Sequence, residues 1–209
     1  MKQFKILGLA VVAVAALMAL AGAGTASATE TTLCKVKETV GGLPQCAKAN
    51  QYPAGTRIHA EIEANTTIVI NTPAGKVECK KSTLEAVTEQ QTAIPLGANV
   101  AAFNLAECNG IVQTVKQGTL DIEIIDLPEW THNGTLTLTG TEITVEVAGL
   151  HCVYTPGDIG TLTGGAMATI DVLGNWPRTG GRSGALCGAS ATVEGGLTVT
   201  SPEPLWVSM

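Results

Sequence analysis

Six cysteines, three histidines and a set of strand-patterned carboxylates are the residues of this chain that could do chemistry. A nucleophilic site needs a serine or cysteine beside a base that activates it. Ser82, Ser183 and Ser190, with His59, His132 and His151, supply the residue types. No Gly-x-Ser-x-Gly elbow presents them, since Gly181-Arg182-Ser183-Gly184-Ala185 lacks the final glycine. His59 falls on the charged side of an alternating segment, His132 in a turn, and His151 beside Cys152. Each of these reads as a surface or structural position.

Carboxylates recur as Glu61/Glu63, Asp121/Glu123 and Glu142/Glu146. A glycosidase sets two carboxyls about 5–9 Å apart across a sugar cleft. Here the pairs alternate with aliphatic residues, as the solvated face of a sheet does. Asp158 lacks the dense oxygen-ligand series of a calcium loop. No Cys-x-x-Cys or tight Cys/His knuckle offers zinc its ligands. The residues therefore predict no catalytic set, no metal and no cofactor.

The cysteines find their role in the compartment. Lys2 and Lys5 precede an apolar run from Ile6 to about Ala23, and Ala26-Ser27-Ala28 is the small-x-small pattern behind which signal peptidase cuts. Residues 1–28 read as a signal peptide, and the mature chain is predicted to begin at Thr29, where thiols oxidise. Six cysteines allow fifteen pairings. Cys34 and Cys46 close the shortest loop. Gly75-Lys76-Val77-Glu78-Cys79 resembles Gly149-Leu150-His151-Cys152, and each is followed by a second cysteine, which pairs Cys79 with Cys108 and Cys152 with Cys187. Each such loop contributes on the order of 3 kcal/mol when closed.

The formal charge is −6, and removal of Lys2 and Lys5 makes it more negative. A phosphate backbone demands a basic face, so nucleic acid is not an expected partner. No second long apolar run follows the leader, so no membrane insertion is expected after its cleavage.

The elements that position these residues are strands. Threonine and glycine are frequent and aromatic residues make up 3% of the chain, a composition suited to β-branched strands broken by turns. Residues 29–56 read as a Cys-bridged N-terminal loop segment. Residues 57–209 read as an antiparallel β-sandwich or barrel, in one domain or as two tandem Cys-bridged units. Ile58, Ala60, Ile62 and Ala64 alternate with Arg57, His59, Glu61 and Glu63; Asn65 then turns the chain into a returning strand from Thr66 to Thr72. Ser82-Thr83-Leu84-Glu85 fits a capping box, but its weak apolar period favours an irregular strand. Leu120, Ile122 and Ile124 alternate with polar residues, and Asn133-Gly134 carries a hairpin-turn signal. Pro177-Arg178-Thr179-Gly180 reads as a turn. Trp130 and Trp176 lie near prolines or turns, and are the residues a loop-borne binding surface would use as anchors. The competing role for them is to close the ends of the core.

Taken together, Cys34…Cys46, Asn50-Gln51-Tyr52-Pro53-Ala54-Gly55-Thr56, Cys79-x-x-Ser82-Thr83, Cys152-Val153-Tyr154, Arg178-Thr179-Gly180-Gly181 with Cys187, and Pro202-Glu203-Pro204-Leu205-Trp206-Val207 resemble a group of secreted, Cys-bridged, β-rich proteins of high-GC Gram-positive bacteria. A more distant likeness is to exported activators of alkane oxidation. The resemblance implies a bacterial, exported protein and carries no activity with it. The function expected from the sequence is a secreted or envelope-associated non-catalytic structural or binding protein, with an unidentified extracellular or envelope partner. A secreted hydrolase with a dispersed site and a secreted inhibitor of another protein are the alternatives.

Overall fold

The computed structural model describes residues 30–125, 131–181 and 184–209. These residues form strands and two short 3-10 turns, Lys48–Asn50 and Gly184–Cys187, with no α-helix among them. The N-terminal segment carries β1 (Thr31–Cys34), β2 (Thr39–Val40) and β3 (Leu43–Pro44). There follow β4 (Arg57–Ile62), β5 (Ile68–Thr72), β6 (Gly75–Thr88), β7 (Thr92–Ala93), β8 (Leu96–Cys108), β9 (Ile111–Lys116) and β10 (Thr119–Ile124). The second half holds β11 (Gly134–Thr139), β12 (Glu142–Val147), β13 (Leu150–Tyr154), β14 (Asp158–Thr163), β15 (Thr169–Gly180), β16 (Ser190–Ser201) and β17 (Trp206–Ser208).

Antiparallel ladders run from β4 to β6, β8, β10, β11, β14, β15 and β16, and β16 pairs back with β4. Eight strands therefore close on themselves, which removes the open edges of a flat sheet. The sequence expectation of an antiparallel sandwich or barrel resolves into this closed form.

Asn65 does not reverse the chain. β4 lies antiparallel to both β6 and β16, through Ala60 opposite Leu84 and Val199. β5 lies antiparallel to the same two strands farther along, through Ile70 opposite Val77 and Val193. The two are one interrupted strand rather than a hairpin. Asn65, at φ 65°, makes a local excursion that its short polar side chain tolerates.

The halves of the chain trace the same course. Four long strands, β4–β5, β6, β8 and β9–β10, are followed by four more, β11–β12, β13–β14, β15 and β16. In both halves the second long strand carries a cysteine. Cys79 is bridged to Cys108 on the third strand, and Cys152 to Cys187 just beyond the third strand. These bridges sit at one end of the barrel, and β1 and β17 cover the other.

Alternation along the strands fills the inside. Ile58 and Ala60, Leu84 and Ala86, Leu120 and Ile122, and Leu136 and Leu138 are all buried, while their neighbours face out. Each leucine or isoleucine among them contributes about 1.5–3 kcal/mol on leaving water. In the cysteine-bridged half the inside is filled by Trp176, Phe103 and Tyr154, with Phe103 and Trp176 edge to face at 6.5 Å. The outward side chains are threonines and charged groups such as Glu61, Lys81, Asp121, Thr137 and Asp171. This is the reverse of a lipid-facing barrel, whose apolar side chains point outward.

A smaller sheet of β17, β1 and β7 caps the terminal end, with Leu33, Leu205 and Val207 buried against the barrel. Thr31 Oγ1 accepts the Ile124 N–H at 3.1 Å, which ties the cap to the last residue of β10. The Cys34–Cys46 bridge closes the loop carrying β2 and β3.

Two local readings of the sequence are corrected. Pro177-Arg178-Thr179-Gly180 is no turn but the end of the twelve-residue strand β15. A proline sits there with its missing donor tolerated, because Pro177 pairs with the first residue of β16, Ser190. Asn133-Gly134 is also no hairpin loop: Gly134 already pairs with Ile124, and the Asn133 side chain accepts the Gly164 N–H at 3.0 Å. Ser82-Thr83-Leu84-Glu85 lies within β6, as its weak helical period indicated.

Candidate functional site

Among the described residues, the barrel wall separates the candidate nucleophile Ser82 from His59. His59, on the outer face of β4, lies 2.8 Å from Glu61 Oε1 and 3.3 Å from Glu85 Oε1. Ser82 is buried on the inward side of β6, so the wall lies between it and His59. His151, on β13, faces Glu146 across the ladder at 3.6 Å. Ser190 opens β16, opposite Pro177. Ser183 lies outside the described residues.

One serine and one histidine do meet. His132 Nδ1 is 3.0 Å from Ser208 Oγ, and its Nε2 is 3.5 Å from Thr39 Oγ1. Sequence reading missed this pair, because the partners are 76 residues apart and Ser208 stands in no motif. Nor is His132 in an open turn: it is 5% exposed, and Ser208 is fully buried. Its imidazole packs edge to face on Trp206 at 5.9 Å. Burial pushes its pKa below the ordinary value, and the Lys37 charge adds to this against a smaller opposing effect of the backbone at Val207. A Ser–His pair needs a carboxylate to orient the ring and an open path for substrate. Among the described residues no carboxylate bonds this imidazole, and the pair lies beneath the cap. The arrangement fits a structural clamp.

Of the two tryptophans proposed as surface anchors, Trp130 lies outside the described residues. Trp176 is a correction: it is fully buried. The reason is strand parity, since Ile170, Val172 and Trp176 all sit at even positions on the inward side of β15. Once Pro177 and Arg178 continue that strand, Trp176 has no loop from which to reach solvent.

The outer wall has its own concavity, a groove of about 420 Å³ lined by Glu123, Thr135, Thr137, Asp158, Thr161, Asp171 and Leu173. The Thr137 hydroxyl donates to Asp158 Oδ1 at 3.2 Å, and outside the groove Thr139 donates likewise to Asp121 Oδ2 at 3.2 Å. Gly160 forms part of the groove beside a register shift between Leu136 and Thr137. It has φ 134°, and a Cβ there would lie 1.7 Å from the Asp171 carbonyl oxygen. Only glycine permits this approach of β14 to β15. The sequence signal for the groove was the alternation that puts Glu123, Thr135 and Thr137 on polar faces, which does not show that those faces adjoin.

The six cysteines form Cys34–Cys46, Cys79–Cys108 and Cys152–Cys187, the pairing expected from the sequence. Among the described residues no group of three His, Cys, Asp or Glu side chains is placed to hold a metal ion. No helix among them is long and apolar enough to cross a membrane. Fold and bridges thus define a class: an all-β, disulfide-bridged antiparallel barrel. No protein-family model, curated protein or solved structure matches the chain.

Proposed function

We propose that this is an exported, non-catalytic protein of the extracellular space or cell envelope, acting as a structural or binding module through its outer surface. The observation that carries this reading is the occupied interior. Eight-stranded barrels that bind small molecules keep a central cavity for them; here Trp176, Phe103 and Tyr154 fill one half and the aliphatic layers fill the other. With β1, β7 and β17 folded over one end, the surface that remains for a partner is the outer wall, including its threonine- and carboxylate-lined groove, and the loops. Three disulfides support an oxidising compartment, and the apolar run ending at Ala26-Ser27-Ala28 supports export with cleavage before Thr29.

Expression of the full chain in an exporting bacterial host, with intact mass and fractionation of the product, tests the reading. A product beginning at Thr29, with six oxidised cysteines and found in the medium or envelope fraction, is expected. A cytoplasmic product with free thiols contradicts it.

A further inference from the structure

We propose that His132 is an acid-sensitive clasp, which holds the terminal cap on the barrel at neutral pH and releases it when the imidazole takes up a proton. Three segments converge on this residue. Its backbone carbonyl accepts the Val207 N–H of β17 at 3.1 Å. Its ring bonds Ser208 of β17 and Thr39 of the Cys34–Cys46 loop, and packs on Trp206. The β14–β15 connection presses in beside it, since a Cβ at Gly164 would lie 2.3 Å from the His132 carbonyl oxygen and 3.1 Å from Trp206. His132 itself stands just before β11, so the ring joins barrel, N-terminal loop and C-terminal strand.

A neutral imidazole has one donor and one acceptor nitrogen, and the two hydroxyls complement either tautomer. Protonation adds a charge where burial has removed the water that would stabilise it. The surroundings compensate only in part, through the smaller opposing effect of the Val207 backbone. Lys37, on the approach to β2, holds its ammonium 5.5 Å from the Trp206 ring centre, a like charge on the far partner of the same stack. Glu38 is engaged elsewhere, accepting the Ala47 N–H and the Asn50 side-chain amide at 2.7 Å each. From β17 and the β14–β15 connection the described groups at the ring are Trp206, Ser208 and Gly164, none of them charged. Burial and Lys37 both favour the neutral form. An open cap returns the ring to water and lets it charge, while the Cys34–Cys46 bridge keeps the released loop intact.

Amide hydrogen exchange, corrected for the intrinsic pH dependence, tests the clasp on the intact protein between pH 7.5 and 4.5. Cap opening, read at residues 31–46 and 205–209, is expected to rise up to about tenfold per pH unit below about 6.5, as a one-proton linkage requires. β6 and β8 are expected to stay protected over that range. His132→Gln should abolish the pH dependence of the cap, and Lys37→Gln should reduce it. An acid response that persists unchanged in His132→Gln, or a wild-type cap indifferent to pH, overturns the proposal. Should His132→Gln fail to fold, NMR titration of the wild-type imidazole decides: a closed-state pKa below 6.5 supports the clasp, and one at or above 6.5 overturns it.

Discussion

The Tyr52 hydroxyl donates to the Pro204 carbonyl over 2.6 Å and joins residues 152 positions apart. One comes from the segment entering the barrel and the other from the segment leaving it, so the bond ties these two segments together over one opening. Burial raises the Tyr52 pKa, which keeps the phenol protonated as this donor. Tyr52→Phe keeps the ring and removes the bond. The expected loss is about 1 kcal/mol in denaturant unfolding, with exchange increasing first at residues 203–209. An unchanged midpoint and unchanged exchange would remove the bond from the account of the cap.

Trp176→Ala is expected to cost about 3–5 kcal/mol, because it empties the largest side chain of the cysteine-bridged half. Leu173, three residues earlier on β15, is 72% exposed. Leu173→Ala should stay within about 0.5 kcal/mol. Denaturant midpoints of the two variants distinguish the buried placement of Trp176 from a surface one, which would make both substitutions mild.

Gly160→Ala should destabilise by about 1–3 kcal/mol from backbone conformation alone. The Asp171 carbonyl adds to this, being backbone that cannot rotate away. Loss of protection along β14 and β15, ahead of β6 and β8, is the expected exchange pattern. A variant as stable as the parent would show that the two strands do not approach as described.

Replacing Cys152 and Cys187 together by alanine opens a loop spanning 35 residues and should cost about 3 kcal/mol. Peptide mapping without reduction checks the partnership itself, and a Cys79–Cys152 peptide would contradict the matched arrangement of the two halves.

Global stability should also depend on pH through His132. Its folded pKa lies below the unfolded value of 6.5. The neutral form therefore stabilises the fold fully above pH 6.5, and that contribution is lost as pH falls toward the folded pKa. Urea midpoints at pH 7.5 and 5 should differ in that direction, and the His132→Gln difference should be smaller.

Local alternation made much of this fold legible. Leu120, Ile122 and Ile124 declare a strand face because burial on one side imposes a period of two. The cysteine pairing was legible because each half has a similar glycine-led segment ending in a cysteine, with a second cysteine roughly thirty residues farther on. What escaped depends on tertiary placement. Asn65 has the chemistry of a turn residue, yet β6 and β16 hold both flanking segments in one line. Pro177 announces a break, yet a position opposite the start of β16 absorbs it and sends Trp176 inward. His132 and Ser208 meet only because the last strand returns to cover the barrel, which no local pattern encodes.

The central functional claim is that this barrel works by its surface and not by chemistry. The most direct test is a hydrolase substrate panel run on the exported, oxidised protein beside His59→Ala, His132→Ala and His151→Ala. The account predicts no turnover above background in any of them. Turnover by the parent that disappears in one histidine variant, with the circular dichroism of the fold retained, would contradict it.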